Sequence, residues 1–352
     1  MDIMKILKKL SLSVLSIICF LLIYEGFLQL TELASSSFVY DNDKLGRTFK
    51  PDYSIFFARA EGMYMGSTNQ YGYIGKGYPP QKPGNTLRIA LLGDSYMEGM
   101  QVFERNHFRT KVEDNLNNKL NKNVEVLNFG IGGLDFRDMF FNYKFKAQNF
   151  NPDIAVFYVK RTNLLTKEKF PSPEYYLEND SLKLNFDFLK SSESALRRKF
   201  SFIRDFGIGY LIKESYESYY NGSLNKLIWD KFASDNSIKK SKQTVADQNV
   251  AKIDSNMYNL NKKILSELND DAQDKNIKIV LIITDDFPEY YYPLFNSFSA
   301  LKVILIPHRL SDYNNKEMRY WKASGIMGHW NQKAINIFGD FLTVNLLSLI
   351  EK

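Results

Sequence analysis

The sequence predicts an α/β protein, a three-layer sandwich in which helices cover both faces of a mostly parallel five-stranded sheet. Three observations predict it. Short apolar runs of strand length recur along the chain. Segments with apolar residues at helical spacing alternate with them. The runs are near-continuously apolar, as expected for strands buried on both faces.

The elements follow in order. The first strand is residues 87–92, closed by Gly93, and the loop before it carries Pro79-Pro80 and Lys82-Pro83-Gly84. Phe108, Val112, Leu116 and Leu120 fall on one face of a helix over 108–120. Residues 124–129 form a second strand, ended by Gly130, Gly132 and Gly133. A helix over 134–149 leads to a third strand over 153–159. A helix near 251–273, strands at 277–283 and 303–306, and a final helix over 331–350 complete the pattern. Residues 34–86 are a turn-rich, polar-aromatic extension, and 87–352 form the main domain. Residues 166–245 break the rhythm, and are expected to be a helical insertion over one end of the sheet.

The first 33 residues predict a transmembrane helix. Lys5, Lys8 and Lys9 precede an uncharged run from Leu10 to Tyr24, and the apolar character resumes after Glu25-Gly26. Counted through Leu30, the segment reaches the roughly 20 residues that a span needs. The lysines place the N-terminus in the cytoplasm and the rest of the chain outside it, periplasmic or extracellular. An uncleaved anchor is the expectation. A cleaved signal peptide is the alternative, with Ala34-Ser35-Ser36 as the nearest cleavage candidate.

Composition narrows the chemistry. The 352 residues contain one cysteine, Cys19, and three histidines, His107, His308 and His329. One cysteine excludes an intrachain disulfide and a cysteine-based metal cluster, so no metal or cofactor is expected. The net charge of +6 is not gathered into a stripe, so no nucleic-acid partner is expected.

In a parallel sheet, reactive groups collect beyond the C-terminal ends of the strands. There the sequence places Asp94-Ser95, the glycine turn of 130–133, Asn163, and, just before the last helix, His329. A serine hydroxyl needs a base to become a nucleophile, and His supplies one near neutral pH. Acyl transfer also needs donors aimed at the developing oxyanion; losing one costs on the order of 10²–10³ in rate. The G-x-S-x-G elbow is absent, since Ser95 lies in Gly-Asp-Ser-Tyr-Met.

These residues resemble the SGNH (GDSL-type) hydrolase superfamily, in its membrane-anchored bacterial form. Gly93-Asp94-Ser95 is similar to the family's nucleophile block, and Asn128 through Gly133 to its second block. Asn163 stands in the third block, where the family's glycine is Arg161 and its aspartate Leu164. His329 stands in the last block, and the lead-in Asn69-Gln70-Tyr71-Gly72-Tyr73 is similar as well. The resemblance implies a flavodoxin-like sandwich with Ser95 as nucleophile and His329 as base. It implies an oxyanion hole of the Ser95 backbone, Gly133 and Asn163. The implied substrate is an acyl ester on an acylated, most simply acetylated, cell-surface glycan, taken by a hydrolase or an O-acyltransferase.

One position departs from the pattern. The family's acid, three residues before the histidine, is Ile326 here. Losing the acid of a triad can cost ~10⁴ in kcat. Ser324, a backbone carbonyl or Asp312 is expected to orient His329 instead. The alternative is a catalytically impaired scaffold that binds glycan without turnover.

Overall fold

The computed structural model describes residues 3–31, 38–59, 61–166, 172–190, 206–209, 211–212, 215, 254–322 and 324–351. It divides into two compact units, residues 1–37 with 196–252, and residues 38–195 with 253–352.

In the first unit, helix α1 (Ile3–Thr31) is long and apolar enough to cross a membrane, with a mean hydropathy of 2.2 over Ile6–Thr31. Glu25, which interrupts the apolar run, accepts the N–H groups of Gly207 (2.8 Å) and Ile208 (3.0 Å). Little else of the expected insertion beyond residue 190 lies within the described residues.

The second unit opens with two hairpins, where the sequence showed only turns. Strand β1 (Val39–Asn42) pairs with β2 (Gly46–Phe49), and β3 (Ser54–Arg59) with β4 (Gly62–Ser67), both antiparallel. Ile74 then bridges to Asn128, at the edge of the main sheet.

Five parallel strands form that sheet: β5 (Thr86–Leu92), β6 (Asn123–Asn128), β7 (Ile154–Val159), β10 (Lys278–Ile283) and β11 (Leu301–Leu305). Their order is β11-β10-β7-β5-β6. Counting sheet strands from the N-terminus, this is the flavodoxin-like order 2-1-3-4-5. Arg88 looks out of place in the apolar run of β5. Register resolves it: Arg88 lies opposite Glu125 on β6, and the two form a buried ion pair at 2.5 Å. The rest of that guanidinium donates to the carbonyls of Pro80 and Phe150.

Helices α3 (Phe108–Lys119) and α10 (Gln332–Ile350) cover one face; Phe108, Val112 and Leu116 of α3 meet Ala334, Phe338 and Leu342 of α10 in one core. Helices α4 (Phe136–Phe145), α6 (Ser255–Asp274) and α7 (Tyr291–Asn296) cover the other. Most helix starts follow from their caps: His107 caps α3, Asp135 caps α4 with a reciprocal bond from Asp138, Asp254 caps α6 and Asn331 caps α10. Helix α10 is also apolar enough for a span, but its apolar stripe lies in the core. Within 166–245 the described residues are helical at 207–209 and 211–212, and hold a hairpin of β8 (Glu174–Glu178) and β9 (Ser181–Asn185), which the sequence did not suggest. There Tyr175 is buried and Tyr176 exposed, the period-two alternation of a half-covered strand.

Candidate active site

The strand order reverses between β5 and β7, so the loops leaving them diverge and open a crevice. The nucleophile candidate sits there. Gly93 and Asp94 leave β5, and Ser95 is the first residue of α2 (Ser95–Glu98). Asp94 caps α2 by accepting the Tyr96 N–H at 3.0 Å. Its other oxygen meets Lys160 Nζ at 2.6 Å and Asn163 Nδ2 at 3.2 Å, both beyond the end of β7. Burial works against the Lys160 charge, but the Asp94 carboxylate more than reverses this and holds the ammonium above its ordinary pKa.

His329 lies just ahead of α10. Its Nε2 stands 2.8 Å from Ser95 Oγ. Its Nδ1 meets Glu61 Oε2, and that oxygen also accepts the His329 backbone N–H at 2.9 Å. The missing acid is therefore present, but it comes from the turn between β3 and β4, 268 residues away in sequence. Gly328 makes the approach possible, because a Cβ there would overlap the Glu61 carboxyl group. The hairpin is held in place by Met63 N–H on the Gln101 carbonyl (3.1 Å) and Ser67 N–H on Glu104 Oε2 (3.2 Å). With Nδ1–H directed at a carboxylate, Nε2 keeps its lone pair for the serine proton.

This finding corrects the expectation for Ser324 and Asp312. Asp312 Oδ1 instead accepts the Asn314 N–H at 2.8 Å, and Ser324 lies in a turn with its N–H on the Trp321 carbonyl. Ile326 cannot serve, being an apolar residue in a two-residue strand, β13 (Ile326–Met327), paired with β12 (Tyr320–Trp321). Buried Arg319 organises this loop. It donates to the carbonyls of Asp312 (3.0 Å), Leu310 (2.9 Å) and Gly328 (3.3 Å), and to the Tyr96 hydroxyl. The Tyr96 ring packs 4.9 Å from the imidazole, and Trp321 Nε1 holds the His329 carbonyl at 3.1 Å.

The expected oxyanion donors divide into two kinds. The N–H groups of Ser95 and Gly133 donate no hydrogen bond among the described residues. Gly133 adopts φ +83°, a left-handed conformation that favours glycine, as the turn after β6 swings toward α4. Asn128 fixes that turn to α2, donating to the Met97 carbonyl (2.7 Å) and accepting the Gly130 N–H (2.9 Å). Asn163 behaves differently. Both hydrogens of its amide are engaged, one by Asp94 and one by the Leu134 carbonyl at 3.0 Å. In this structure Asn163 braces the loops that carry Ser95 and Gly133.

The other histidines lie elsewhere. His107 is buried; its Nδ1 accepts the Arg109 N–H and its Nε2 faces the Glu98 carbonyl. Burial, and then the Arg109 charge, push its pKa down to about 3, so the ring is neutral. Exposed His308 pairs with Asp285 at 2.5 Å, and the hydrogen bond to that carboxylate raises its pKa. The tyrosines near 290 form a packing cluster: Tyr291 is buried against Tyr258, Tyr290 and Phe287. Among the described residues no cluster of acidic, His or Cys side chains is arranged to hold a metal.

Fold and site define a class: a flavodoxin-like sandwich with a Ser–His–Glu relay at its switch point. In block order, strand order and site the chain resembles the SGNH (GDSL-type) hydrolases. No family model and no curated protein matches the sequence. Among solved structures, it is similar to a G-D-S-L family lipolytic protein from Desulfitobacterium hafniense, with 10% identity, 73% of this chain and 97% of that one covered, and a TM-score of 0.36. An esterase from Pseudoalteromonas sp. gives 11%, 76%, 100% and 0.39 in the same terms. An acetyl xylan esterase gives 13%, 72%, 96% and 0.36. The site stands on its own geometry.

Proposed function

We propose that the chain is a serine-dependent acyl-ester hydrolase or O-acyltransferase acting on an acylated, most simply acetylated, cell-surface glycan. The observation that carries this is the relay itself, with Ser95 Oγ 2.8 Å from His329 Nε2 and the far side of the ring on Glu61. His329 takes the proton of Ser95 as Oγ attacks the ester carbonyl. The oxyanion forms beside the free N–H groups of Ser95 and Gly133. As the tetrahedral adduct collapses, His329 returns the proton to the departing alkoxide, leaving the acyl group on Ser95 Oγ. Water, or the hydroxyl of an acceptor, then attacks that acyl group by the reverse sequence.

Helix α1 supports membrane attachment, and the lysines before it support a cytoplasmic N-terminus with residues 38–352 outside. In that compartment an acylated envelope glycan is the accessible substrate.

The full chain in detergent micelles is expected to hydrolyse p-nitrophenyl acetate and to be labelled by a serine-directed phosphonate. Ser95→Ala is expected to abolish both. Equal inertness of the wild type and the variant, with no labelling of either, refutes the proposal.

A further inference from the structure

Arg161 occupies the position where the family resemblance implies a glycine. It follows β7 at the switch point and begins the short helix α5 (Arg161–Leu165). Its backbone N–H donates to Thr284 Oγ1 at 3.3 Å, which fixes it against the end of β10. Its neighbours Lys160 and Asn163 both hold Asp94, the residue before the nucleophile. The Arg161 side chain is half-buried. Yet its guanidinium has no hydrogen-bond or ion-pair partner among the described residues.

Other buried arginines of this unit contrast with it. Arg88 meets Glu125, Arg109 meets Glu113, and Arg137 meets Asp135. Arg319 is filled by three carbonyls and a phenol. The local charges sharpen the contrast. Asp94 balances Lys160, and Glu61 is committed to His329. Asp286 accepts the Thr284 hydroxyl at 2.6 Å and makes no ion pair with Arg161. Arg319 has no carboxylate partner among the described residues either. A planar guanidinium with its fork unfilled matches a carboxylate or a phosphate, which it binds through two parallel hydrogen bonds.

We infer that Arg161 is a specificity-determining residue that receives an anionic oxygen group, a carboxylate or a phosphate ester, on the substrate. The inference rests on the proposed acyl-ester chemistry and narrows its substrate class to acidic acyl esters.

Three aryl acetates test it with the full chain in micelles: neutral 4-acetoxybenzamide, 4-acetoxybenzoate and 4-acetoxyphenyl phosphate, each also as the meta isomer. The wild type is expected to prefer at least one anionic ester over the neutral one by about tenfold or more in kcat/KM at low salt. Which anion is preferred separates a carboxylate from a phosphate. In Arg161→Gln that preference is expected to fall to within about twofold, and Arg161→Lys to keep part of it, having the charge without the fork. The preference is a ratio within one enzyme, so partial unfolding of a variant does not move it. Equal kcat/KM for neutral and anionic esters, or a preference that survives Arg161→Gln, overturns the inference and leaves Ser95 chemistry standing. Inertness toward all these esters and p-nitrophenyl acetate, with no phosphonate labelling, overturns both.

Discussion

Replacing Glu61 by glutamine keeps size and shape but exchanges a carboxylate oxygen for an amide. In the wild type a single oxygen receives the backbone N–H of His329 at 2.9 Å and faces the ring Nδ1. In Glu61→Gln the amide oxygen can take the place of Oε2 and accept both the backbone N–H and Nδ1–H, so the contacts to His329 persist. What is lost is the charge: the imidazolium of the transition state loses its counter-charge. Losing the acid of a serine triad costs up to about 10⁴ in kcat, or about 5.5 kcal/mol of transition-state stabilisation. Global stability is expected to change far less. The pair is about one-third exposed, at 31% for each side chain, and one such hydrogen bond contributes about 1 kcal/mol. The assay is p-nitrophenyl acetate turnover beside a urea melt. A Glu61→Gln protein that keeps more than a tenth of wild-type kcat while folded shows that Glu61 does not serve the base.

Gly328→Ala places a Cβ where the Glu61 carboxyl group sits, and the flexible side chain is expected to yield before the backbone. Turnover should fall by about 10²–10⁴, toward the Glu61→Gln value, with melting nearly unchanged; unaltered turnover would refute the close approach. His107 carries a pH prediction. Its pKa is about 3 when folded and about 6.5 when unfolded, so between these values the unfolded chain binds more protons. Its contribution to stability is full above pH 6.5 and is lost as pH falls toward 3. His107→Asn keeps a helix cap without the titration, so the stability gap between wild type and variant should narrow by on the order of 2 kcal/mol from pH 7 to pH 4.5. Urea midpoints at the two pH values measure this, and a constant gap refutes it.

Much of the fold was legible. Apolar runs gave β5, β6, β7 and β10 to within about a residue at each end, because strands buried on both faces are mostly apolar along their length. Arg88 and Glu125 were buried charged exceptions inside their runs, and only their register explains them. The hairpins over 38–67 were read as turns because their strands are short and mix polar, aromatic and glycine residues. That misreading hid Glu61. A catalytic acid at a fixed spacing from its histidine leaves a sequence signal, whereas one delivered from a separate hairpin leaves none. The nearest hints were Gly328, beside the histidine, and the empty acid position at Ile326. Asn163 was expected to donate to the oxyanion; its bonds to Asp94 and Leu134, which engage both amide hydrogens, depend on loops 69 and 29 residues away.

The sequence alone determined the layers and the strand edge, and singled out Ser95 and His329 as candidates, since hydrophobic periodicity and short blocks are local properties of the chain. The tertiary structure decided which carboxylate serves the histidine, which donors remain free, and which cation is left without a partner. Those are questions of distance between groups far apart in sequence, and only the packed chain sets such distances.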